Sequence, residues 1–266
     1  GKNLVSQKRY SEAEEMFLRA RAILEKPPGI ARSNVVYVLT DLANLHRYRQ
    51  QYDTSMMYYK EALSISEKAP RPDAALYIQI GQIYEKQNRI EDAETMYLQA
   101  IQIREDWMFL EQVGMFYVRS RQYDKAEAAY LRLLQLLEFG NFPPSDQIVT
   151  RNMQRLAEAY EQEGKFFEAE EIHKKVLDRS EEVDSYGYRA WESSFRRLEN
   201  FYLMRHKYAD AEMLYKRVLS NMPDTHNLHW KLAELYVTEK RYAEAEQVYK
   251  KLLAIDEDKK YLENWR

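Results

Sequence analysis

One pattern recurs seven times along this chain and dictates most of what it can fold into. An aromatic or apolar residue is followed three positions later by a small residue, and four positions beyond that by an aromatic. It reads Tyr10/Ala13/Phe17, Tyr52/Ser55/Tyr59, Ile90/Ala93/Tyr97, Tyr123/Ala126/Tyr130, Phe166/Ala169/His173, Tyr208/Ala211/Tyr215 and Tyr242/Ala245/Tyr249. Each copy has an upstream half. Twelve residues before the small residue stands another small one (Gly1, Ala43, Gly81, Gly114, Ala157, Ala233), and only the sixth copy departs, with Glu199. Three residues after that position comes Leu4, His46, Tyr84, Tyr117, Tyr160, Tyr202 or Tyr236. Spacings of three and four place these residues on one face of a helix. Small residues let two helices approach closely, and aromatics fill the space beside them. Each copy is therefore a pair of antiparallel helices, and a fixed period of such pairs is the mark of a stacked helical repeat.

Punctuation agrees with this division. All seven prolines (Pro27, Pro28, Pro70, Pro72, Pro143, Pro144, Pro223) fall between one helix pair and the next, as expected of a residue that costs roughly 3 kcal/mol inside a helix. Ser11 followed by Glu14, and Asp124 followed by Glu127, have the spacing of capping arrangements opening a second helix. The Phe139–Pro144 stretch is the most loop-like point. It is expected to mark a seam near 139–146 in a single solenoid spanning 1–266, with repeats one to four in 1–138 and repeats five to seven plus a cap in 147–266. Gly1 already stands mid-helix, so the chain reads as a piece of a longer protein. Asp258 to Arg266, with Tyr261 and Trp265 four apart, reads as a terminal capping helix.

These residues resemble the tetratricopeptide repeat family, and the lengthened repeats are similar to its kinesin light chain branch. The resemblance covers essentially the whole sequence. It implies an all-α, right-handed superhelical solenoid of about seven helix pairs, whose first helices line a concave groove that accepts a peptide from a partner. Because the shared residues are packing residues, the resemblance speaks to fold more than to ligand.

Helical geometry then names the groove positions. They are Thr40, Asp41, Asn44 and Arg47 in repeat two, Ile78, Gln79 and Gln82 in repeat three, and Glu111, Gln112 and Met115 in repeat four. Repeat five supplies Arg151, Gln154, Arg155 and Glu158, repeat six Arg196, Arg197 and Asn200, and repeat seven Trp230, Lys231 and Glu234. Arg151, Arg155, Arg196, Arg197 and Lys231 stand out within a protein of net charge -3. A guanidinium is a planar fork for carboxylates, so an acidic peptide or a free carboxyl terminus suits them, unless Glu158, Glu199 and Glu234 pair with them instead. Against the chaperone-binding carboxylate clamp of the family, Arg196 and Asn200 match one pair in kind and spacing, but Lys231 stands where Asn is expected.

The remaining function classes have little support. A slightly acidic protein without a clustered basic patch gives no case for nucleic acid. No run of 18 apolar residues speaks for membrane insertion. There is no cysteine, which sits most easily with a cytoplasmic protein. No phosphate-cradling loop, zinc-binding helix or nucleophile elbow is present. His226 and His229 are three apart but fall at a joint, so no metal, cofactor or catalytic residue is assigned. The expectation is a non-enzymatic scaffold or adaptor. Its rivals are a self-associating spacer, with Met56, Met57, Phe167, Met204 and Trp265 as contact residues, and the sensor arm of a larger signalling ATPase or transcriptional regulator.

Overall fold

The computed structural model describes residues 3, 5, 7–25, 32–139, 146–182, 187–223 and 225–263. Among them there are thirteen α-helices and no strand. In order along the sequence these are α1 (Tyr10–Leu24), α2 (Arg32–Tyr48), α3 (Tyr52–Ser66), α4 (Ala74–Lys86), α5 (Ile90–Ile103), α6 (Trp107–Arg119) and α7 (Tyr123–Phe139). They continue with α8 (Asp146–Glu163), α9 (Phe166–Glu182), α10 (Gly187–Met204), α11 (Tyr208–Asn221), α12 (His226–Thr238) and α13 (Tyr242–Glu263). Every second helix begins at the residue that opens the sequence pattern. The protein forms two compact units, 1–165 and 166–266, which divide inside repeat five between its two helices. In the first, α2 packs on α3, α4 on α5 and α6 on α7, with α8 against α7 and α6. In the second, α9 packs on α10 and α12 on α13.

The turn from first to second helix has one backbone solution throughout. The residue two before each second helix has positive φ: Lys8, Gln50, Asn88, Arg121, Gly164, His206 and Lys240. The N–H that follows donates back to the carbonyl of the first helix's aromatic residue, as in Gln51 to His46, Arg89 to Tyr84, Gln122 to Tyr117 and Arg241 to Tyr236, at 2.8–2.9 Å. This is a Schellman closure, which satisfies carbonyls that the helix end would leave bare. It hands the backbone directly into the next helix, so second helices need no side-chain cap. Tyr10 starts α1 and Tyr123 starts α7. Ser11 and Asp124 therefore lie inside the first turn rather than at the cap, which corrects the expectation for both. Side-chain caps occur instead on first helices, where Asp73 accepts from the Ala75 N–H at 3.0 Å and Asp106 from the Met108 N–H at 2.9 Å.

The small residues do what their spacing predicts. At Gly81 an added Cβ would stand 3.1 Å from the Tyr97 ring, and at Gly114 2.8 Å from the Tyr130 ring. The second helix thus lays a buried tyrosine directly on the backbone of the first. Tyr59, Tyr97, Tyr130 and Tyr215 are among the largest fully buried side chains, each worth on the order of 2–3 kcal/mol of burial. Glu199, the exception in the pattern, is buried too, and the Tyr215 hydroxyl donates to its Oε1 at 2.6 Å.

The glutamate that follows the small residue of most second helices joins one repeat to the next. Glu94 accepts from the Tyr117 hydroxyl at 3.0 Å and pairs with Lys125 at 2.6 Å. Glu127 does the same with Tyr160 (2.9 Å) and Lys165 (2.8 Å), and Glu212 with Tyr236 (2.8 Å) and Arg241 (2.5 Å). Glu170 takes Tyr202 and Lys207, and Glu14 takes Arg49, with the His46 ring 3.6 Å away. In repeat two Met56 holds this place and is buried, 9% exposed, so it belongs to the core and not to the contact surface the sequence suggested.

The segment from Asp258, expected as a terminal cap, is helical through Glu263 and continuous with α13. Trp265, the Tyr261 side chain, Gly1 and the 140–145 part of the expected seam lie outside the described residues, as do Pro27, Pro28, Pro143 and Pro144. Pro70, Pro72 and Pro223 stand between helices.

Candidate functional site

In the first unit polar side chains on successive first helices form a connected track. From α2, the Arg47 guanidinium donates to Asn44 Oδ1 at 3.0 Å and crosses to Gln82 Oε1 on α4, also at 3.0 Å. The Gln82 amide then donates to Gln112 Oε1 on α6 at 3.3 Å. Farther along, Glu111 of α6 receives Arg155 at 2.7 Å and Arg151 at 3.1 Å, both from α8. Arg155 also approaches the Met115 sulfur at 3.0 Å. Lower on the same helices, Arg119 of α6 pairs with Glu85 of α4.

Buried tyrosines deliver their hydroxyls to this face. Tyr59 donates to Asn44 Oδ1 at 2.7 Å and lies 3.3 Å from Gln79 Oε1; Tyr97 donates to Glu85 at 3.0 Å. Burial pushes the Tyr59 hydroxyl up to about 12, with the Arg47 charge opposing the rise. Burial likewise raises Tyr130 to about 12, against the pull of Arg155. Both stay protonated, hence donors, at any physiological pH.

These bonds decide which charges remain available. Arg47 donates to two neutral amide oxygens. Arg151 and Arg155 share one carboxylate, and Arg151 is 47% exposed. Asp41, Glu111 and Glu158, expected on the same face, match Arg47, Arg151 and Arg155 in number, so the track mixes both charges with the amides of Asn44, Gln79, Gln82 and Gln112, which both donate and accept. Ile78, expected on this face, is buried at 3% exposure, and Glu111 is mostly buried.

The second unit spends its charges internally. Lys231 of α12 donates to both oxygens of Glu199 on α10, at 2.8 and 2.6 Å. Arg196 pairs with Glu192 one turn earlier on its own helix at 2.6 Å. Arg197 and Asn200 are exposed, as is Trp230, whose ring meets Tyr249 edge-on at 5.6 Å. The sequence had marked Glu199 as the break in the pattern; that Lys231 answers it follows only from helix stacking. Glu14 and Glu127 were read as capping partners, while Glu94, Glu170 and Glu212, which recur at the same place, and Arg119 were not singled out.

One acidic cluster appears among the described residues. Carboxylate oxygens of Asp124, Glu127 and Glu163 lie within 4.8 Å of one another. The Lys165 ammonium stands among them at 3.4, 2.8 and 2.9 Å and supplies the countercharge itself. Hydrogen bonds to Glu127 and Glu163 hold it well above the ordinary lysine range. No helix among the described residues is long and apolar enough to cross a membrane.

Helix pairs closed by one turn geometry, packed through small residues and linked by interhelical glutamates, define a helical repeat protein. Residues 34–106, 78–145, 153–183 and 202–263 each match the tetratricopeptide repeat, and the chain belongs to that family. Over 100 residues it is 30% identical to Protein O-mannosyl-transferase tmtc2 of Xenopus laevis, a match that covers 36% of this chain and 12% of that protein. Among solved structures it is similar to BtubC (BKLC) of P. vanneervenii, with a TM-score of 0.62, 17% identity, and coverage of 82% of this chain and 92% of the other. It is also similar to the C-terminal part of a TPR repeat-containing protein of Cytophaga hutchinsonii, with a TM-score of 0.61, 17% identity, and 96% and 93% coverage. At such identities the likeness is one of fold. The repeats make the protein a protein–protein interaction scaffold in general terms.

Proposed function

We propose that the protein is a non-catalytic adaptor, and that the first-helix face of the 1–165 unit binds a peptide segment of a partner protein. The observation that carries this is the Arg47–Gln82–Gln112 track. Its side chains are held in place by bonds between helices, so little side-chain entropy remains to be lost on binding. Amides that donate and accept suit a peptide backbone, which presents both groups. The half-exposed Arg151 offers a planar fork to an acidic side chain of the ligand. Stacked repeats bury their core between neighbours, which frees the exposed face to serve recognition.

The test is capture of partners from cell extract by the parent and by an Arg47→Gln/Arg151→Gln variant. Glutamine keeps polar bonding at both places and leaves Arg155 on the buried Glu111. Loss of a partner by the variant, with unchanged far-UV circular dichroism, is the expected result. Retention of the same partners by both proteins refutes the assignment of this face.

Self-association is the second reading. Phe167 and Met204 are 73% and 79% exposed, and large apolar groups on a surface invite contact. A sedimentation mass that rises with concentration, and that returns to the monomer value in Phe167→Ser/Met204→Ser, would favour it.

A further inference from the structure

A pocket of about 560 Å³ opens beside the Arg47–Gln82–Gln112 track, where repeats one and two meet. Its floor is apolar and consists of Val5, Phe17 of α1 and Leu45 of α2, the last two at 7% and 0% exposure. Two phenol rings wall it. Tyr10 opens α1 and Tyr48 closes α2, and Tyr48 is 61% exposed. The Arg47 guanidinium stands over the Tyr48 ring, 5.8 Å from its centre. The lining carries one charge of each sign, Lys8 and Asp41, so it has no net pull on a charged guest. An apolar floor with a few polar groups at the mouth suits a large uncharged side chain.

Asn44 ties the pocket to the track. It is part of the lining, and its Oδ1 accepts from Arg47 at 3.0 Å and from the Tyr59 hydroxyl at 2.7 Å. A peptide whose backbone follows the amides of Asn44, Gln82 and Gln112 therefore passes the mouth of the pocket. Arg151 lies on α8, three first helices beyond α2. Neighbouring first helices stand roughly 10 Å apart and an extended chain advances roughly 3.3 Å per residue, so the pocket and Arg151 are about nine peptide residues apart.

We propose that this pocket seats one large apolar side chain of the bound peptide and sets its register, with an acidic residue about nine positions away meeting Arg151. The proposal rests on the first-helix face of the 1–165 unit being the peptide site, and adds to it the anchor and its distance from the acid. Backbone bonds to a row of amides are alike at every peptide residue and leave the chain free to slip. A side chain that fits only at the Tyr10–Tyr48 mouth stops the slip.

The experiment selects phage-displayed random sixteen-residue peptides on the whole chain and measures synthetic copies of the enriched peptides by fluorescence anisotropy. The enriched set is expected to carry Leu, Ile, Met or Phe at one position and Asp or Glu about nine positions from it. Changing that apolar residue to Ala is expected to weaken binding by roughly tenfold or more, the scale of one buried aliphatic side chain. Tyr48→Ser is expected to weaken the unaltered peptide comparably and to erase the effect of the Ala change, whereas Tyr48→Phe keeps both. Tyr48 is exposed, so neither variant puts folding at stake. Arg151→Gln is expected to erase the effect of the acidic residue alone. Enriched peptides with no fixed apolar position, or with an Ala effect that persists in Tyr48→Ser, overturn the proposal. If those peptides are still lost in Arg47→Gln/Arg151→Gln, the first-helix face stands without the anchor. No enrichment at all overturns both. A sedimentation mass that rises with concentration in the parent but not in Tyr48→Ser gives the pocket to a second copy of this chain and also overturns the proposal.

Discussion

Replacing Lys231 with methionine is expected to destabilise the 166–266 unit by about 3 kcal/mol, because it strands a buried charge. Glu199 is 4% exposed and holds three hydrogen bonds, one from the Tyr215 hydroxyl and two from the Lys231 ammonium. Removing the lysine leaves one. Breaking a buried ion pair from one side costs roughly 3–5 kcal/mol, and the 29% exposure of the Lys231 side chain lets some water reach the vacancy, which sets the lower end. Glu199→Ala/Lys231→Met removes both charges and restores the small residue that Ala43, Ala157 and Ala233 provide in other repeats. It leaves only the Tyr215 hydroxyl short of an acceptor, so it is expected within about 1–2 kcal/mol of the parent. Urea unfolding followed by far-UV circular dichroism and by tryptophan emission, over the full double-mutant cycle, measures the coupling directly. If Lys231→Met stays within about 1 kcal/mol of the parent, or the double variant is as unstable as the single, the pair does not hold the unit and the reasoning fails.

Two further predictions concern a glutamate that joins two repeats and the turns within repeats. Glu212 is opposed by burial, yet bonds from Arg241, Lys216 and Tyr236 outweigh it and hold its carboxyl down from 4.5 to about 2. A lowered folded value gives stability that is present above the unfolded value and lost as pH falls from about 4.5 to about 2. This amounts to on the order of 2–3 kcal/mol after discounting for the exposure of its partners. Glu212→Gln should flatten that part of an acid-unfolding curve, and an unchanged curve counts against the linkage. At the left-handed turn positions, Gln50→Gly and Lys240→Gly are each expected to add about 0.5–1 kcal/mol, whereas Gly164→Ala, at φ 90° with open space around it, costs about 1 kcal/mol. Thermal melts that rank these variants in the opposite order exclude the turn geometry.

Local spacing carried most of the fold. The aromatic or apolar residue that opens each second helix, the small residue three later and the aromatic four beyond lie within two turns of one helix. Their faces follow from 3.6 residues per turn, and seven repetitions settle the stacking. The start of every second helix was legible for that reason, and so was the placing of Asn44, Arg47 and Gln82 on neighbouring first helices, though not the bonds between them. The caps were misread at Ser11 and Asp124 because a left-handed turn one step earlier already closes the preceding helix. Met56 was misread because the glutamate it replaces points to the next repeat, not to water. Which charges are spent and which remain is a property of the tertiary structure. Lys231 meets Glu199 across 32 residues, Arg155 meets Glu111 across 44, and Arg47 meets Gln82 across 35. No periodicity within one helix encodes such meetings, because they depend on how two helices dock. The sequence by itself thus determined a stack of helix pairs and the residues through which the two helices of a pair meet. Only the docking of one repeat on the next decided which of the remaining polar side chains pair with one another.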